Sequence, residues 1–188
     1  VLTFFETFFT HVANSPLGDR KQTLRRVVQE TYTRQGITQD PSTHDNPSPT
    51  VRDVIAVLES LLEDPRQFGY VTAGEQESVR SDAQSLLIDL RPSFREEGDL
   101  SNLAVPTEFD LDADVLYLDL HQEEGSRGRT ETSLMMQVLF NAVYERAKQT
   151  EKRVVFTIDE AHYLMNDSTS LDFLETAVRH SRHYDISL

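Results

Sequence analysis

Apolar residues recur every three to four positions through the first hundred residues, then switch to short unbroken runs. Phe4, Phe5, Phe8, Phe9 and Val12 share one helical face. Pro16 and Gly18 break that segment, and Leu24, Val27, Val28 and Tyr32 take up the same period. Gly36 falls where a helix ends in a left-handed residue. A polar, proline-bearing loop covers Gln39 to Pro49. Thr50 can cap the next helix, which carries Val54, Ile55, Val57, Leu58, Leu61 and Leu62 before Pro65 and Gly69 end it. A further helix is predicted from about Glu75 to Leu90, with Val79, Ala83, Leu86, Leu87 and Leu90 on one face and Pro92 as its stop.

The texture changes near residue 105. Pro106 to Asp114 reads as an acidic turn region, and Val115-Leu116-Tyr117-Leu118-Asp119-Leu120 as a short strand apolar on both faces. Gly125 and Gly128 lie in a charged loop. A long amphipathic helix then spans about Glu131 to Gln149, with Leu134, Met135, Val138, Leu139, Ala142 and Val143 facing inward. Residues 154–158 form a buried strand, Asn166 to Ser170 a polar loop, and Leu171, Leu174, Ala177 and Val178 the inner face of another helix. Tyr184 to Leu188 begin a further strand. Strand, helix, strand, helix, strand is the order of a parallel α/β core. The expected organisation is an all-α subdomain over 1–105 and an α/β unit over 106–188. No internal repeat and no low-complexity segment is visible.

Composition narrows the classes. The 188 residues carry a formal charge of -14, and of 18 basic residues only Lys21, Lys148 and Lys152 are lysine. Acid excess with few lysines fits adaptation to high salt, where net charge keeps a protein soluble. An ordinary acidic cytosolic protein is the alternative. The acidity argues against the whole surface acting as a nucleic-acid platform. Cysteine is absent, which excludes disulfides and thiolate metal sites. No apolar run approaches the roughly 18 residues of a membrane span. The apolar, aromatic opening from Val1 carries no signal peptide and reads as the interior of a longer polypeptide.

The chemistry concentrates at Val154-Val155-Phe156-Thr157-Ile158-Asp159-Glu160-Ala161-His162. An apolar β-branched run ends in two adjacent carboxylates, as a Walker B element does. In open α/β folds ligands bind outside the carboxyl ends of the strands. There Asp159 can hold Mg²⁺ through water, and Glu160 can polarise the water that attacks a γ-phosphate. The bland counterpart is a strand that ends in two solvated acids. No G-x-x-x-x-G-K-[ST] phosphate loop occurs in these residues. His162 has no second ligand at metal spacing, although it can couple nucleotide state to its neighbours. Arg179 and Arg182 flank His180-Ser181. They read either as cations favoured at a helix C-terminus or as an arginine that reaches a neighbouring subunit's phosphates.

The stretch Lys152 to Tyr184, with VVFTIDEAHYLM and then SLDFLETAVRHSRHYDISL, resembles the Walker B region of the type IV secretion and conjugation traffic ATPases. These form the VirB/TraC-type branch of the HerA–FtsK superfamily. FDLDADVLYLDL resembles that family's strand before the long helix, and TLRRVVQETYTRQGI its helical insertion. The resemblance implies a partial RecA-like parallel sheet with an N-terminal all-α subdomain. It also implies hexameric or dimeric homo-oligomers and ATP bound between subunits. By motif match Asp159 is the Mg²⁺-associated acid, Glu160 the catalytic glutamate, and Arg182, or else Arg179, the inter-subunit arginine. DNA or secretion-complex proteins are the implied partners, and the cytoplasm, at the inner face of the membrane through those partners, the implied location. The chain departs from the pattern in lacking the phosphate loop and the glutamine-bearing strand, and in having Asp185 where the family has glycine.

Three rivals stand beside this expectation: a HerA-type DNA translocase in repair, a helicase of the D-E-A-H kind, and a non-catalytic assembly module. Without a phosphate loop the 188-residue chain lacks the backbone N–H cradle and lysine that bind a triphosphate. It is therefore expected to be inactive by itself.

Overall fold

The computed structural model describes residues 2–13, 15–106, 113–119, 126–150, 152–159, 171, 174, 175, 178, 179, 181 and 184–187. The chain divides into two compact units, Val1–Thr107 and Glu108–Leu188.

Helices are the regular elements of the first unit among its described residues. It consists of α1 (Leu2–Ala13), α2 (Arg20–Arg34), α3 (Val51–Glu63) and α4 (Ala73–Phe94), with short 3-10 turns at Pro41–Thr43, Pro65–Phe68 and Ser101–Ala104. The caps explain the boundaries. Gly36 lies just past α2 with φ +74°, the left-handed geometry that glycine adopts without a Cβ penalty. Thr50 accepts from the Asp53 N–H at 3.4 Å and its own N–H donates back to Asp53 at 2.7 Å, which is a capping box. Thr72 and Glu75 repeat that arrangement at the start of α4.

The helices pack because their apolar stripes coincide. Phe9, Leu24, Val27, Val28, Val54, Leu58, Leu61, Ala83, Leu86, Leu90 and Phe94 are fully buried. Phe8 and Phe9 of α1 meet Phe94 with ring centroids at 5.9 Å and 6.5 Å. That contact accounts for one correction. α4 does not stop at Pro92; it runs on to Phe94. Proline in a helix deprives the carbonyl four residues back of its donor. Here that residue is Ile88, on the exposed face of α4 at 64%, so the missing bond falls on the solvent side while Phe94 remains anchored in the core.

Polar pairs tie α2 to its neighbours. Arg20 donates to Asp89 at 2.6 Å and to Ser85 at 2.9 Å, and Thr23 donates to Asp82 at 2.7 Å. Arg26 donates to the Phe68 carbonyl and lies over the Tyr70 ring, 4.6 Å from its centroid.

The second unit contains α5 (Ser126–Ala147), β1 (Val154–Val155) and β2 (Ile186–Ser187). The strands are parallel, with Val154 opposite Ile186 and Val155 opposite Ser187. Five expectations change here. α5 begins at Ser126 rather than near Glu131, so Gly128 is helical and not in a loop. Residues 113–119 form no ladder, and Val115 and Tyr117 are 88% and 85% exposed. On α5 Leu134 is buried as expected, but the other buried residues are Phe140, Tyr144 and Ala147, whereas Met135, Val138, Leu139, Ala142 and Val143 are half-buried. The strand at 154–158 is buried on one side only, because Val155 is 73% exposed. Leu171 and Val178 are exposed, and of that helix's apolar residues Leu174 joins the core. One cause underlies the changes in burial. Among the described residues α5 and Leu174 cover one face of the short sheet, and the large aromatic residues aligned with that face are buried first. No helix among the described residues is long and apolar enough to cross a membrane.

Candidate functional site

The candidate site is built on β1. Val154, Phe156 and Ile158 point to one side, where they pack on Phe140, Tyr144, Ala147 and Ile186. Phe156 continues the ladder by donating to the Ser187 carbonyl at 2.8 Å. Side chains alternate along a strand, so Val155, Thr157 and Asp159 face the other way, and all three are exposed. Asp159 therefore stands in solvent, in the turn at the carboxyl end of the run that begins with β1.

The turn into β2 has its own signature. Asp185 has φ +53°, in the left-handed region that Asp and Asn tolerate better than other side-chain-bearing residues. Its carbonyl accepts the Val154 N–H at 3.2 Å. The backbone at Asp185 thus holds a positive φ. That dihedral supplies the reason a small polar residue stands there.

Around the strand ends, Lys148 lies over both Tyr144 and Tyr184, 5.6 Å and 5.5 Å from the ring centroids. It donates to Glu145 at 2.8 Å, and that bond holds the ammonium pKa above its usual value. Burial pushes the Tyr144 hydroxyl pKa up. Ser181, itself buried, donates to the Val178 carbonyl at 2.8 Å.

Of the residues singled out in the sequence, Asp159 and Arg179 are described; Glu160, His162 and Arg182 lie outside the described residues. Arg179 is helical and exposed, and it pairs with Glu175 one turn earlier. Such a surface pair is worth little. Among the described residues no group of three or more His, Asp or Glu side chains could hold a metal ion. One exposed carboxylate still suits Mg²⁺, which keeps most of its waters and uses one or two carboxylates beside substrate phosphates.

The first unit has an open groove of about 910 Å³ between α2 and the start of α4, bordered by Gln22, Arg26, Tyr70, Gly74 and Ser78. Among its charged groups, Asp82 accepts from Thr23, Glu75 caps Thr72, Arg26 donates to the Phe68 carbonyl and Arg25 pairs with Glu6.

No protein-family model, curated protein or solved structure matches the chain at a significant level.

Proposed function

We propose that Asp159 and Glu160 are the Walker B acids of a P-loop ATPase that couples ATP hydrolysis to transfer of DNA or protein, in the manner of conjugation and type IV secretion motors. The observation that carries this reading is the parallel strand β1 followed by its exposed acid. The apolar alternation from Val154 to Ile158 seats the strand on α5 and leaves Asp159 in solvent at the carboxyl end, where α/β folds bind ligands. Asp159 would hold Mg²⁺ through water. Glu160 would orient the attacking water and take its proton as the bond to the γ-phosphate forms and the β–γ bridge breaks. The ion supplies charge neutralisation at the phosphate oxygens. On this reading the working form is a homo-hexamer, with Arg182 or Arg179 reaching across an interface, at the inner face of the membrane through its partners.

A second reading is favoured by one sequence fact. A chain without a phosphate loop serves as an assembly module that retains the acids. The test is Glu160→Gln in a polypeptide carrying both these acids and a phosphate loop. Turnover is expected to fall by about 100-fold or more, with ATP binding retained. Unchanged turnover would overturn the catalytic assignment.

A further inference from the structure

We infer that the Lys148 ammonium is a latch that fastens β2 and its lead-in to the end of α5, so that removing this one charge releases the strand. All of its parts lie in the second unit, and none involves nucleotide chemistry.

The helix places the charge. Lys148 directly follows α5, and its N–H still donates to the Tyr144 carbonyl at 3.1 Å. Residues four apart on a helix share a face, and the ammonium lies over the buried Tyr144 ring, 5.6 Å from its centroid. The same ammonium lies 5.5 Å from the centroid of Tyr184. Both distances fall inside the roughly 6 Å over which a ring face attracts a cation. One charge therefore bridges the end of α5 and the residue that leads into Asp185 and β2.

β2 depends on such a bridge because it is two residues long. Among the described residues its other attachments are few. The Asp185 and Ser187 carbonyls accept the Val154 and Phe156 N–H groups at 3.2 Å and 2.8 Å, and Ile186 is buried in the core. Arg153 reaches Asp185 and Ser187 from the exposed surface, where such pairs are worth little. A two-stranded ladder is marginal by itself. β1 is secured separately, by the stack of Phe156 on Phe140. Opening the latch therefore frees β2 and leaves β1 seated on α5.

Lys148 has two blander roles. It pairs with Glu145 at 2.8 Å, a surface contact within one helical turn that contributes little. A cation just past a helix also offsets the helix dipole. Neither role touches β2; the Tyr184 ring does. The lysine side chain is 27% exposed, so an acidic group of a partner can draw it away from solvent.

Amide exchange at Val154 and Phe156, whose N–H groups end on the β2 side, reads the latch. Lys148→Gln removes the charge, and both amides should exchange about fivefold faster, with the Phe140 amide of α5 unchanged. Lys148→Arg keeps a cation at the rings and should match wild type. Tyr184→Leu should match Lys148→Gln, and the two together should add nothing further. Glu145→Gln should leave both amides unchanged. Acceleration confined to the last turn of α5, equal acceleration throughout the unit, an equal effect of Glu145→Gln, or no change overturns the latch. If the variants do not fold, the unsubstituted chain decides. The two rings should shift the Lys148 side-chain proton resonances upfield of those of Lys21 and Lys152; coincident resonances overturn the proposal.

Discussion

Phe140 of α5 stacks on Phe156, with ring centroids 5.0 Å apart and planes inclined by 25°. This contact fastens the helix to the strand that leads to Asp159. Phe140 is 3% exposed, whereas Phe156 is half-buried. Phe140→Ala should therefore destabilise the second unit by about 3 kcal/mol, and Phe156→Ala by less. A double-mutant cycle in urea should show coupling of about 0.5–1.5 kcal/mol. Additive losses would mean that the rings do not act as a pair.

Asp185 carries a positive φ between Tyr184 and β2. Glycine there should leave the melting temperature unchanged or raise it, since it enters the left-handed region without steric cost. A β-branched residue should not be tolerated: Asp185→Val is expected to cost about 1–2 kcal/mol. Thermal melts of the two variants compare these directly, and equal stability would show that the turn does not need the left-handed residue.

Acid should loosen the first unit through Glu6. Arg25 and Lys21 both hydrogen-bond this buried carboxylate, Lys21 at 2.7 Å. The Arg25 bond, reinforced by Lys21, outweighs burial and lowers the Glu6 pKa below the usual carboxylate range. A folded-state value depressed below the unfolded one stabilises the fold above the unfolded value of about 4.3. That stability is lost as pH falls through the folded value. Glu6→Gln should therefore be less stable than wild type at neutral pH, with the gap narrowing below about pH 4.3. Urea titrations across that range test it; a gap independent of pH would rule out the carboxylate as its source.

Calorimetric titration of the 188-residue chain with Mg·ATP should give no micromolar binding, because no phosphate loop is present to cradle the triphosphate. Micromolar affinity would mean that another part of the chain supplies the cradle.

The two arginines separate by mixing. In a polypeptide with a complete nucleotide site, inactive Arg182→Ala subunits should regain activity when combined with Glu160→Gln subunits, if the arginine acts across an interface. Arg179→Ala, whose side chain already pairs with Glu175, should show little loss. Absence of rescue would return Arg182 to the role of a helix-end cation.

The sequence by itself determined what depends on neighbouring residues. The period of Leu24, Val27 and Val28, the cap at Thr50 and the glycine after α2 each act within a turn or two of chain, so their helices were legible before any packing was known. The β-branched run ending at Asp159 likewise announced a strand, but one buried on both sides; that Val155 and Thr157 face outward was not legible in an unbroken apolar run. Tertiary structure alone decided which side of each element is covered. α4 passes Pro92 because Phe94 finds Phe8 and Phe9 far away in the chain. α5 turns Phe140 and Tyr144 inward, where spacing pointed to Val138 and Ala142, because the sheet offers one short face for the largest rings to cover. The strand-like run at 115–118 pairs with nothing among the described residues, since a strand's partner lies outside its own sequence. The positive φ of Asp185 was likewise invisible in the sequence, because it is set by the turn into β2.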